Sequence, residues 1–445
     1  MSTIPAVDLE STAQVPSPTF REAARVWTRV ALLSFGGPAG QIAVIHRIVV
    51  HEKRWVDEPR FLHALSYCML LPGPEAQQLA TYFGWLLHGT RGALVAGILF
   101  ILPGVLTILA LSYLYVIVGN TPVVAGLFFG LKPAVLAVVL VALGRIARRA
   151  LVGAPAVALA ALGFIALYGF QLPFPFVVAG AGILGLLLNR SPGGSQGAPI
   201  APGVPRPSLV RMAGTILLAV LIWWIPPALV LLAVGADHVL ATEARFFSKV
   251  AVVTFGGAYA VLAYVAQQAV EVYRWLTPAE MLDGLGLAES TPGPLIMVLQ
   301  FVGFLGAYRY PGSLDPMLAG LAGSLITTWV TFVPSFGFIL AGAPWVEYFA
   351  ANRRLKAALT GIMAAVVGVV LNLSVWFGLH TLFGETRTAE AGPLRLLVPD
   401  AATIRWWPFV IMIVAGIALT RFRISLLLVL LGAAVLGMLL GQVPY

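Results

Sequence analysis

Long apolar runs dominate the chain, and polar residues gather in short islands between them. Runs of spanning length cover 92–118, 122–144, 154–170, 172–189, 212–235, 357–383, 403–420 and 424–441. A bilayer core about 30 Å thick needs roughly 20 apolar residues in a helix. Within hydrocarbon only helices or closed barrels satisfy every backbone group. The runs are continuous, without the ~10-residue alternating segments of a barrel, so they predict helices. The fold class expected is an all-α polytopic membrane protein. Residues 1–17 are polar, contain Pro and Ser and lack the apolar centre of a signal peptide, and read as a disordered tail.

The chain also repeats itself, and repeats reorganise any reading of single motifs. "RVWTRVALLSFGG" (25–37) recurs as "RFFSKVAVVTFGG" (245–257), Trp55 recurs as Trp275, and "PGP" at 72–74 recurs at 292–294. All three matches share one offset of 220 residues. The order continues with Pro103 matched by Pro334 and Lys132 by Lys356. The expected units are residues 18–190 and 238–445, joined by 191–237. That joint holds the Pro/Gly/Ser-rich linker "RSPGGSQGAPIAPGVPRPS" and one unmatched apolar helix.

Charge orients the halves. "RIARR" (145–149) follows the helix starting near 122, whereas "NRRLK" (352–356) precedes its counterpart starting near 357. Equivalent helices with basic clusters at opposite ends predict opposite orientations under the positive-inside rule. The expectation is two inverted-topology repeats with about thirteen transmembrane segments, the N-terminus cytoplasmic and the C-terminus periplasmic. Lys53 and Arg54 misfit if the first two elements of each half are simple spans, and fit if those elements are re-entrant hairpins.

Each half opens with "FGG" in its first apolar element and "PGP" in its second. Proline removes a donor and clashes with the preceding turn, so helices are expected to break at both places. Matching broken elements in two halves are the best sequence pointer to a transporter's binding site. Pro74 and Pro294 can occupy N1 of the following half-helices, leaving the amides of 75–77 and 295–297 free for an anion. Gly73 and Gly293 admit a close approach, as do Gly36, Gly37, Gly256 and Gly257. Pro72, Pro292, Ser290, Thr291, Glu75, Gln77 and Gln78 complete the candidate substrate site, with Gln300 a further neutral donor near the second break.

Ionisable groups within apolar segments are functional candidates by default. Lys132 and Lys356 head equivalent helices. Arg25 and Arg29, then Arg245 and Lys249, precede the two FGG breaks by equal distances, and are read as charges along a substrate path or as snorkelling anchors. Glu75 follows the first PGP and Glu289 precedes the second, so both are candidates for proton coupling. Glu75 equally fits a helix N-terminal acid. Asn372 is expected to bond between helices, and Trp55 and Trp275 to anchor the interface.

Composition narrows the chemistry. The chain has 445 residues, 60% hydrophobic and 10% charged, with formal net charge +9. That excess is read as cytoplasmic Lys and Arg, not a nucleic-acid surface. There is no Gly-rich ATP loop, and the six histidines (46, 51, 63, 88, 238 and 380) share no metal-ligand spacing. A single cysteine, Cys68, reads as a free core thiol. Neither a cofactor nor enzymatic activity is expected.

At these residues the chain resembles the chromate ion transporter family in its long two-domain form. The resemblance rests on "FGGPAG", Trp55 and "LLPGPEAQQLATYFGWLLHGTRGA", then "FSKVAVVTFGGAYAVLAYVAQQAV", "WLTPAEMLDGLGLAESTPGPLIMVLQFVGFLGA" and "TTWVTFVPS". It spans nearly the whole chain except the tail, the linker and helix 209–235. It implies export of chromate across the bacterial inner membrane, coupled to the ion gradient, and chromate resistance. The family motifs fall on Phe35–Gly37, Pro72–Pro74, Phe255–Gly257 and Pro292–Pro294. "FGGAYA" lacks the proline of "FGGPAG", so the two first breaks are not expected to kink equally. Sulfate has the same shape and charge as chromate, so another tetrahedral oxyanion, or an oxyanion channel, is the alternative. Expected partners are the oxyanion and the lipid bilayer, with a homodimer left open and no nucleic acid. A divalent anion leaving an inside-negative cell gains about 4.6 kcal/mol per 100 mV, so export is electrically downhill.

Overall fold

The computed structural model describes residues 18–119, 121–188, 208–253, 255, 257–346, 352–392 and 394–440. The tail 1–17, nearly all of the linker and Gly256 lie outside the described residues.

In half one, α1 (Phe20–Leu33) starts behind Thr19, whose hydroxyl accepts the Glu22 amide. It ends at the FGG motif, and α2 (Gly37–His46) runs on through a π-helical stretch, Arg47–Glu52. α3 (Glu58–Leu70), capped by Asp57, leads into PGP, after which comes α4 (Glu75–Val118). Inside α4, His88 and Gly89 leave helical geometry, with φ −141° and 61°. A Cβ on Gly84 would run into the Gly92 carbonyl, so the arms on either side of Gly89 fold against one another.

The first two elements double back. Lys53 pairs with Glu22 over 2.9 Å, so the end of the α1–α2 hairpin returns to its start. His46 bonds Glu58 at 2.7 Å and His88 bonds the Pro18 carbonyl at 3.0 Å, placing the second hairpin's ends beside the first's. α1 and α3, at 14 and 13 residues, are shorter than the roughly 20 an apolar span needs, which suits re-entrant hairpins and, with them, the positions of Lys53 and Arg54.

Half two rebuilds the order: α9 (Val239–Val253), α10 (Ala258–Ala266) with π-helical Gln267–Val272, α11 (Pro278–Ser290), a 3₁₀ turn at Leu295–Met297 and α12 (Val298–Arg309). Duplication reaches single torsions: Arg54 and Arg274, 220 apart, both sit at positive φ, 52° and 54°. The Trp55 and Trp275 amides donate to the matching carbonyls of Val49 and Ala269. Trp55 and Trp275 are buried, contrary to the expectation of interfacial anchors, because each packs inside its hairpin turn.

The halves are inverted. The second arm of α4 begins at the half-one hairpin ends, and Gly104 midway along it meets Gly293. Near its far end, Tyr113 donates to the Met317 carbonyl and Tyr115 to Asp283, among the half-two ends. α13 (Pro316–Gly342) runs the other way, with Ser335 against Gly73 and the Phe338 carbonyl accepting the Tyr67 hydroxyl.

The remaining helices interlock the halves. α5 (Pro122–Ala150) of half one is clasped by α15 (Trp406–Thr420) and α16 (Leu426–Leu440) of half two. α14 (Arg353–Leu382) is clasped in turn by α6 (Ala154–Tyr168) and α7 (Phe174–Leu188). Glycines form both seams, Gly130 on Gly437 and Gly185 on Gly361, as expected where backbones must approach in lipid. α8 (Leu209–Val234) lies outside, against α13, exposing Leu217, Leu221 and Leu232. Among the described residues, five helices, α4, α5, α8, α13 and α14, are long and apolar enough to cross a membrane. Among the described residues, the sheet that departs from all-α is a hairpin of β1 (Thr386–Ala391) and β2 (Leu394–Pro399) in the polar loop after α14.

Candidate functional site

All four breaks meet between the halves. Pro38, Gln41, Pro74, Glu75, Ala76, Gly257, Ala258, Pro294, Leu295 and Ile296 line one cavity. Four helix N-termini therefore face it: α2, α4 and α10 directly, and α12 through its 3₁₀ turn. Each presents unsatisfied amides and a partial positive charge. The amides of Glu75, Ala76, Gln77, Leu295 and Ile296 bond to no acceptor among the described residues. The two second breaks differ, because the Met297 amide is taken by the Pro294 carbonyl at 2.9 Å. The cavity has room for about one water, too little for a tetrahedral oxyanion in this conformation.

The prolines act one position earlier than expected. Pro74 and Pro294 are N-caps with extended ψ of 102° and 134°, not N1 residues. The glycines before them are required by torsion: Gly73 has φ 115° and Gly293 has φ 108°, in the region L side chains avoid. They do not lie open to a ligand. A Cβ on Gly73 would sit 2.6 Å from Ser335 Oγ, and one on Gly293 3.0 Å from Gly104 Cα. Their job is to let each break pack against the long helix of the opposite half.

Cross-half bonds hold the arrangement. The Gly293 amide donates to the Ser34 carbonyl at 3.0 Å, and Gln41 Nε2 donates to the Gly293 carbonyl at 2.6 Å. Glu75 Oε1 lies 3.5 Å from where a Gly257 Cβ would be, and Glu289 Oε2 3.9 Å from the same point on Gly37. Each acid thus faces the other half's first break, although the two are not equivalent in the repeat. Glu289 is buried and accepts the Tyr259 hydroxyl at 2.6 Å.

Other candidates fall outside the cavity. Gln78 donates to the Pro72 carbonyl and Gln77 to Thr81, so both brace the break. Ser290 and Thr291 bond back to the Leu287 and Ala288 carbonyls, and Gln300 bonds the Val105 carbonyl and Ser324. Lys132 is not an isolated charge but pairs with buried Asp283 at 3.2 Å. Lys356 lies in the first turn of α14. Arg25, Arg29, Arg245 and Lys249 are exposed, Arg29 bonding Glu52 at 2.7 Å. Asn372 lines a separate cavity beneath the β-hairpin, with Gln267, Glu271 and Arg395, instead of bridging two helices.

Sequence spacing missed two groupings. Gln41 and Tyr259 belong to the site, and their only signal was the FGG context, since each lacks a counterpart in the other half. His46, His51 and Glu58 place their ligand atoms within 4.8 Å of one another, because the π-helical stretch puts positions five apart on one face.

Inverted halves, helices broken in register and a small cavity faced by helix ends at their junction define an integral membrane protein built like the inverted-repeat transporters. The chain belongs to the chromate transporter family, whose model matches residues 21–186 and again 242–438. It is 31% identical to a chromate transport protein of Pseudomonas aeruginosa, over 82% of each chain. It is 25% identical to one of Cupriavidus metallidurans, over 80% of this chain and 82% of that one. An uncharacterized transporter of Methanocaldococcus jannaschii is 27% identical over 79% and 82%. No solved structure matches the chain.

Proposed function

We propose that the protein is a secondary transporter that exports chromate from the cytoplasm, driven by membrane potential, a proton gradient or both, and so confers resistance. The cavity lined by four helix N-termini carries this reading: it offers a dianion neutral donors with partial positive charge, from both halves at once. In this reading residues 18–190 and 238–445 are the two repeats, joined through 191–237. Half one opens to the cytoplasm, where Arg25, Lys53 and Arg91 satisfy the positive-inside rule, and the C-terminus lies outside, in the periplasm of an inner membrane.

The narrowness of the cavity favours alternating access over an open channel. Glu75 and Glu289 are the groups that would exchange protons with the site. Ionised they repel the oxyanion; protonated they can donate to it. Competition among chromate, sulfate, molybdate and phosphate in reconstituted vesicles, with an imposed potential or pH gradient, tests the assignment. Saturable chromate flux that the potential accelerates supports it. If no oxyanion saturates the flux, the assignment is wrong; if sulfate displaces chromate throughout, the substrate is sulfate.

A further inference from the structure

Glu243 in α9 is fully buried, and among the described residues no side chain bonds either carboxyl oxygen. It lies in a socket built by glycines from two other helices. A Cβ on Gly306 of α12 would sit 2.6 Å from Oε1, and one on Gly323 of α13 would sit 2.7 Å from Oε2. Any larger residue at either position would fill the space the carboxyl occupies.

Among the described residues, no opposite charge pairs with it. α13 carries no charged residue, and α8 carries only Arg211, at its first turn. On α12, Arg309 is engaged by Glu280 and the Trp275 carbonyl. On α9 itself, Arg245 bonds the Ala236 and Ala241 carbonyls and Lys249 stands over the Tyr264 ring. His238, at the start of α9, bonds the Pro311 carbonyl. An unpaired buried carboxylate is costly enough that such a group binds a proton instead.

From this socket a polar stripe runs along α13. Ser324, Thr327, Thr331 and Ser335 are all buried and recur at helical spacing on one face. The hydroxyls of Thr327 and Thr331 have no partner. The stripe ends at Ser335, which touches Gly73 at the first PGP break, about 12 Å along the helix from Thr327. Half one has no such device, since Ala23 stands where half two has Glu243.

We propose that Glu243 is a proton-binding site, fed through the α13 hydroxyls, that couples proton movement to the central cavity. The carboxylate takes up one proton and later releases the same proton along the stripe, with no other bond made or broken. The proposal rests on the oxyanion-transport reading.

The test uses full-length protein in vesicles with a pH-sensitive dye, chromate as the probe, and Glu243→Gln and Glu243→Asp variants. Glu243→Gln is expected to keep chromate exchange at equal pH, while losing chromate-evoked proton movement and pH-driven accumulation. Glu243→Asp is expected to recover part of both. Retained proton movement in Glu243→Gln overturns the proposal. So does loss of exchange together with coupling in a folded variant, which would make the role structural. Wild-type chromate flux without proton movement removes the proposal alone; absence of any wild-type oxyanion flux removes the underlying reading as well.

Discussion

The amide of Gly293 donates to the carbonyl of Ser34 over 3.0 Å, tying the second break of one half to the first break of the other. Gln41 closes the same joint from the side, bonding the Gly293 carbonyl at 2.6 Å. The site is therefore a junction: neither half forms it alone.

Gln41→Leu leaves the buried Gly293 carbonyl without its side-chain donor, an expected loss of about 1–3 kcal/mol. Thermal unfolding in detergent should show a lower midpoint, and chromate flux should fall because the joint loosens. An unchanged midpoint and flux would mean that water replaces the amide without cost.

Gly293→Ala and Gly73→Ala each force an L residue into φ above 100° and push a methyl into the opposing helix. Strain of about 1–3 kcal/mol is expected at each. Transport should fail in protein that still elutes as a folded species. Pro74→Ala should be milder, since Pro74 is an N-cap whose extended conformation alanine can adopt.

Glu75→Gln and Glu289→Gln remove titratable groups that face the two first breaks. Protonation deletes a negative charge beside the cavity, so wild-type chromate flux should rise as pH falls. Each Gln variant should flatten that profile, and Tyr259→Phe should alter it through Glu289 alone. Profiles identical to wild type in all three would exclude these acids from coupling.

Lys132→Met strands the buried Asp283 carboxyl, an expected cost of about 3 kcal/mol. The double variant Lys132→Met with Asp283→Leu should recover much of the lost unfolding midpoint. Failure to recover would indicate that the pair has a role beyond mutual neutralisation.

Much of this was legible along the chain because the determinants are local. An FGG or PGP breaks a helix wherever it falls, and an offset of 220 carries through to the torsions of Arg54 and Arg274. What stayed hidden depends on partners far apart in sequence. Gln41 meets Gly293, 252 residues away, and Lys132 meets Asp283, neither signalled by spacing. The exchange that clasps α5 between α15 and α16 is likewise a packing outcome. Gln77, Gln78, Ser290 and Thr291 have donor chemistry, yet their neighbours consume it, so residue type placed them near the site without placing them in it.

The central claim is that the cavity between the four helix ends is where the oxyanion passes. Ala76 and Ala258 line it from opposite halves, neither at a strained torsion. Saturable chromate flux in reconstituted vesicles, compared between wild type and Ala76→Val or Ala258→Val, tests the claim most directly. Saturable wild-type flux is expected, with its loss in both variants while the fold stays intact. Wild-type rate and saturation in both variants would contradict it.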